Sequence, residues 1–294
     1  MIRPWRNRKN RSITLLTAFI FLLAVNVLPF EINPAIISSI ARTPEEDSVG
    51  SWVYNKALDV FNKSKVVHYE HQGGDDVSDQ VVVKGSHCDA ECDCSGFVSY
   101  VLHTVTPMHY KAVKEFSTRT GHPLANTYAR FFTKLSATEP QDGWIRLMSY
   151  KELRQGDLIA WEKAVNPDAP AGAKKGNTGH VMIVESPASR VEVLRKKGEP
   201  IRFVSIAVID SSSVDHFPPE ELPPLAHQSH RDGLGRGVIR LVLDDSNQVI
   251  GYWEGTYWGE GGKNITKPSY SDSVSFARLL HNVHAEHAEN ADQS

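Results

Sequence analysis

The sequence predicts an α+β fold, with helices in its first part and an antiparallel sheet in its second. Three observations carry this. Apolar residues recur at helical spacing around 52–61 and 94–105, short β-branched runs crowd the second half, and clusters of Gly, Pro and Asp separate those runs. Helices first and strands afterwards exclude the strict alternation of a parallel α/β protein.

Taken in order, the first helix is predicted from Trp52 to Phe61, where Val53, Ala57, Leu58 and Phe61 form an apolar stripe. A polar loop, HYEHQGGDDVSDQ, follows with a Gly pair and leads to a triplet of valines at 81–83. The second helix is predicted over Cys94 to Val105, because Phe97, Val98, Val101, Leu102 and Val105 share one face. Five strands are predicted next: LIAW (158–161), HVMIVE (180–185), FVSIAVID (203–210), GVIRLVL (237–243) and QVIGYWE (248–254). The stretch 216–233, HFPPEELPPLAHQSHRDG, is too rich in Pro for regular structure and reads as a long loop. No internal repeat is visible.

With 294 residues, 40% of them hydrophobic, the chain can bury a sizeable core, which excludes a disordered protein. The amino terminus reads as an export signal: Arg3, Arg6, Arg8, Lys9 and Arg11, then an apolar run over residues 13–28 broken only by Thr14, Thr17 and Asn26, then Pro29. Ser39-Ile40-Ala41 offers small residues for cleavage, while the run is nearly long enough to stay as an anchor. Either outcome puts the body outside the cytoplasm, periplasmic or extracellular, and the membrane is a partner only through such an anchor. No Cys precedes position 88, so a lipid-anchored Cys near the signal is excluded. The expected organisation is residues 1–41 as signal peptide or signal anchor, 42–50 as linker, 51–260 as the folded domain and 261–294 as a polar tail. Because the first 41 residues hold five basic side chains against one acid, the body is more acidic than the whole-chain charge of −3. Such a body has no reason to seek phosphate backbones, so nucleic acid is excluded as a partner.

Asp93-Cys94-Ser95-Gly96-Phe97 stands where the polar loop becomes the second helix, with Asp93 able to cap its first turn. Cys94 then occupies a helix amino terminus, where unpaired N–H groups favour a thiolate and can hold an oxyanion. The small Ser95-Gly96 pair is expected to let a substrate backbone approach. Further on, Leu153-Arg154-Gln155-Gly156-Asp157-Leu158 marks a tight turn into a strand, and Asn177-Thr178-Gly179-His180 opens another. If 180–185 and 203–210 are antiparallel neighbours, the start of one lies beside the end of the other. Asp210 then reaches His180 and holds its tautomer, which completes a nucleophile, base and orienting acid.

DCSGFV, then LRQGDLIAW, then NTGHVMIV resembles the NlpC-type bacterial cell-wall cysteine peptidases, a papain-like family, over roughly residues 65–212. The resemblance implies a papain-like fold in which a helix carrying Cys94 packs on an antiparallel sheet carrying His180, with Asp210 as the orienting residue. It also implies a tyrosine that helps the oxyanion hole, for which Tyr69 is the candidate. Two departures stand out: HYEHQGGDD only loosely matches the family's Tyr-centred motif, and the third position is often His in the family. Ser211 is a weaker candidate for that position.

The leading expectation is therefore an exported thiol hydrolase acting on amide bonds of cell-wall peptide, with no cofactor and no metal. The alternatives are an acyltransferase or another amidase or esterase using the same residues, an inactive cell-envelope binding module, and a disulfide- or zinc-stabilised interaction domain. His87, Cys88, Cys92 and Cys94 are close in sequence, but C-x3-C-x-C is not a common zinc spacing. In an oxidising compartment Cys88 and Cys92 could pair and leave Cys94 free. His281, His284 and His287 are read as a solvated helix face, and Trp144, Trp161, Trp253 and Trp258 as core or rim aromatics. His216, His227, His230 and Arg231 either line the cleft or face water.

Overall fold

The structure, a computed structural model, describes residues 48–70, 76–163, 178–188, 190–196, 199–213, 232–253, 269–270 and 274–281. The expected signal segment 1–41, the Pro-rich stretch 216–231, His284, His287 and Trp258 lie outside them. Among the described residues no helix is long and apolar enough to cross a membrane.

The protein is α+β. Helix α1 (Val49–Lys63) starts inside the expected linker, because Ser48 caps it, its side chain accepting from the Ser51 N–H at 3.1 Å. The linker of 42–50 is thus corrected at its end: Val49 and Gly50 belong to the domain. Strand β1 (Ser64–His68) follows directly, then a short 3-10 turn and the hairpin of β2 (Val81–Lys84) and β3 (His87–Glu91). These make a three-stranded sheet in the order β1-β3-β2, with β1 parallel to β3.

Helix α2 (Cys94–Val105) has the expected bounds and is buried along nearly its whole length, as an apolar-faced segment with a high hydrophobic content should be. Two further helices, α3 (Pro107–Phe116) and α4 (Ala125–Lys134), complete this layer. Pro107 begins α3 where its missing N–H costs nothing.

The large sheet contains β4 (Trp144–Leu147), β5 (Leu158–Glu162), β6 (Gly179–Ser186), β7 (Val191–Lys196), β8 (Glu199–Ser212), β9 (Gly233–Leu243), β10 (Val249–Trp253), β11 (Ser269–Tyr270) and β12 (Ser275–Leu279). Its order is β11-β10-β9-β8-β6-β5-β12-β4, with β7 on the free part of β8, and every pairing is antiparallel. Alternation along β6 divides the core. Val181 and Ile183 pack with α1, α2 and α4, while Met182 and Val184 pack into a second cluster with Ile206, Leu241 and Phe276.

That second face is concave. Trp161 of β5 and Tyr252 of β10 stack with centroids 4.2 Å apart, although β6, β8 and β9 lie between their strands. In a flat sheet four strand spacings would hold them roughly 19 Å apart. The sheet therefore curls around its apolar filling, and the helices cover its outer side.

The polar tail expected from 261 onward is overturned at its centre. Ser275–Leu279 is a buried strand inserted between β4 and β5, pairing with both. Arg278 on it forks onto the Asp157 carboxylate at 2.9 and 2.8 Å, so even its charged residue is internal glue.

Candidate active site

β1 and β3 run parallel, His68 opposite Glu91, and the Cys92 N–H donates to the His68 carbonyl at 3.2 Å. The two chains therefore leave the small sheet side by side. One continues into Tyr69, the other into Asp93 and the first turn of α2. Asp93 is extended and caps the helix: its Oδ1 accepts from the Gly96 N–H and from the Ser95 hydroxyl, each at 2.8 Å, while its carbonyl accepts from the Phe97 N–H at 3.0 Å. The N–H groups of Cys94 and Ser95 are the ones this cap does not use, and an oxyanion beside Cys94 would find them there.

α2 packs on β6 and β8, which supply the other two candidates. β6 opens at Gly179, whose φ of 142° is one only glycine adopts with ease; a Cβ there would stand 1.9 Å from the Trp161 carbonyl oxygen. This close start puts His180 opposite Trp161 in the ladder, its ring tilted 35° against the indole at 5.3 Å. β6 and β8 are antiparallel neighbours, Ile183 facing Ile209, so the end of β8 returns Asp210 to the start of β6. The Asp210 carboxylate is 0% exposed and accepts a short hydrogen bond from His180 Nε2.

The Cys94 sulfur is near enough to His180 for its charge to act on the imidazole. With Nε2 given to Asp210, Nδ1 is the nitrogen left to face the sulfur. Burial is the largest influence on the imidazole and pushes its pKa down, but the Cys94 sulfur and then the hydrogen bond and charge of Asp210 outweigh it. His180 ends well above its ordinary value. The arrangement can therefore hold a proton on His180 between the Cys94 sulfur and the buried Asp210 carboxylate.

No family model, no curated protein and no solved structure matches the chain.

His180 and Asp210 are thus bonded to each other, and the charge of the Cys94 sulfur reaches His180. Tyr69 joins them: burial, followed by the charges of Cys94, Asp93 and Asp210, raises its pKa, so its hydroxyl stays protonated as a donor. Ser95 is brought in differently from the expectation. Its side chain is turned to Asp93, and Gly96 packs internally, since a Cβ there would stand 2.1 Å from Gln80 Oε1. At Gly96 the chain itself, through Gln80, fills the space that a side chain would take. Ser211 is tied up as well, donating to the Cys92 carbonyl at 2.6 Å.

All three cysteines are free and buried. Cys88 lies within β3 and Cys92 just past its end, so four extended residues hold their Cα atoms about 13 Å apart, beyond any disulfide. Burial, then the charge of Asp93, pushes the Cys92 thiol up. Among the described residues no three His, Cys, Asp or Glu side chains converge as metal ligands. Trp161, read from sequence as a core or rim aromatic, is buried against the His180 ring. His122, which no sequence pattern marks, lies 3.8 Å from Asp93.

Proposed function

We propose that this chain is an exported cysteine hydrolase of papain-like arrangement that cleaves amide bonds, its substrate being the stem peptides of peptidoglycan. One observation carries the reading: His180 is hydrogen-bonded to the buried Asp210 carboxylate and lies within the field of the Cys94 sulfur at the start of α2. A nucleophile, a base and an acid that orients the base are what acyl transfer requires.

In the proposed reaction the Cys94 sulfur attacks the carbonyl carbon and its proton resides on His180. The oxyanion is held by the first-turn N–H groups of α2 and by the Tyr69 hydroxyl. His180 then passes the proton to the leaving amine as the C–N bond breaks, which leaves a thioester on Cys94. Water, deprotonated by His180, attacks the thioester, and the carboxylic acid product and the Cys94 thiol are released. Asp210 keeps the imidazole aimed and favours its cation throughout. The basic and apolar amino terminus supports an envelope location, and the likeness of DCSGFV, LRQGDLIAW and NTGHVMIV to the NlpC-type peptidases supports the substrate class.

Mass spectrometry of cell-wall digests tests this. Wild-type protein should release stem-peptide fragments that a Cys94→Ala control does not. Equal fragments from both, or none from the wild type, would overturn the reading. A product joined to an added amine in place of water would turn it into acyl transfer.

A further inference from the structure

In the proposed chemistry Asp93 serves only as the cap of α2. Its carboxylate nevertheless stands next to the nucleophile, and a negative charge there opposes both a thiolate and an oxyanion. Its field already reaches the neighbours: the charge of Asp93 helps to push both Cys92 and Tyr69 toward their protonated forms.

His122 faces this carboxylate. Its ring is 4% exposed, its Nε2 lies 3.8 Å from Asp93 Oδ1, and neither ring nitrogen has a hydrogen-bond partner among the described residues. A buried polar group left so is costly and calls for an explanation. The segment is not loosely placed. The Lys114 ammonium of α3 bonds the carbonyl oxygens of Arg119, Thr120 and Gly121, Ser117 Oγ accepts from the Arg119 N–H at 3.2 Å, and Gly121, His122 and Pro123 are buried in succession. A stapled turn thus delivers an imidazole to the one carboxylate that caps the helix of Cys94. Gln80, 1% exposed and also without a partner for its amide among the described residues, lies against Gly96 in the same turn.

We propose that His122 is a positioning residue that acts on Cys94 through Asp93. It pairs with the carboxylate, keeps it on the Gly96 N–H and the Ser95 hydroxyl, and offsets its charge beside the nucleophile. Cys92, Cys94, Tyr69 and Ser95 also stand around Asp93 and none of them is basic, so His122 brings a compensating group that they do not. This role rests on Cys94 being the nucleophile, but its test reads the thiol and needs no substrate.

The experiment is the rate of iodoacetamide alkylation of Cys94 in the full chain, followed by peptide mapping. His122→Phe keeps the shape and removes the nitrogens, and should slow alkylation about tenfold. His122→Gln, whose amide nitrogen takes the place of Nε2, should restore most of the rate, whereas His122→Asn should not. In an Asp93→Asn background His122→Phe should change the rate less than about twofold, because the partner charge is gone. Wild-type rate in His122→Phe, or the same tenfold loss in the Asp93→Asn background, would overturn the proposal. If His122→Phe does not fold by circular dichroism, His122→Asn takes its place in the same cycle, and the same two outcomes overturn the role. Cys94 reacting no faster than Cys88 in wild-type protein would instead defeat the hydrolase reading and this role with it. Fast Cys94 that ignores His122 defeats the role alone.

Discussion

Trp161 stacks on Tyr252 at 4.2 Å and lies against His180 at 5.3 Å, so the closure of the curled sheet and the seating of the proposed base share one side chain. Tyr252→Ala removes the outer half of this stack. It should destabilise the protein by about 3–5 kcal/mol, the usual cost of deleting a buried aromatic ring. Urea unfolding measures it, and a loss below about 1 kcal/mol would mean the sheet closes without the stack.

His180 sets a pH dependence whose sign follows from its raised pKa. The folded protein holds this proton to higher pH than the unfolded chain does. Its contribution to stability is therefore fully present below the ordinary histidine value of about 6.5 and is lost as pH rises through the folded value. Since the Cys94 sulfur is the largest influence raising it, Cys94→Ala should lower the titration midpoint seen by NMR. A midpoint that stays or rises would contradict the contact between the two side chains.

The three candidates should behave as one unit in kinetics. His180→Ala should lower turnover by roughly 100-fold to 10,000-fold with the fold retained. Asp210→Ala removes only the orienting group and should cost less, and Asp210→Asn should be milder or comparable because its amide oxygen still accepts the imidazole N–H. The double change of His180 and Asp210 should cost about as much as His180→Ala alone. Losses that multiply would show two groups working independently.

Arg278→Ala leaves the Asp157 carboxylate buried without its guanidinium. Burial already pushes the Asp157 pKa up, and Arg278 is the first influence that opposes it. Breaking such a pair should cost about 3–5 kcal/mol at neutral pH, with Asp157→Asn recovering part of the loss. Thermal unfolding of the single and double variants checks this, and an unchanged melting temperature for Arg278→Ala would rule out a structural role for the pair.

The sequence by itself determined what period and local chemistry can carry. Apolar spacing marked α2, Asp93 marked its cap, and β-branched runs between turn residues marked β5, β6, β8, β9 and β10. Adjacency of β6 and β8 was also within reach, since consecutive apolar strands tend to pair, and it brought His180 and Asp210 together. Other features had no local signal. Ser275–Leu279 reads as part of a polar tail because only five residues are apolar or small enough to bury, and its partners lie more than a hundred residues away. The curl that brings Trp161 onto Tyr252 is a sum of small twists over five strands. The reason for Gly96 is the Gln80 side chain, and the place of His122 depends on a turn held by Lys114. Contacts of this kind are decided by which surfaces meet once every element is packed, and a one-dimensional pattern holds no record of them.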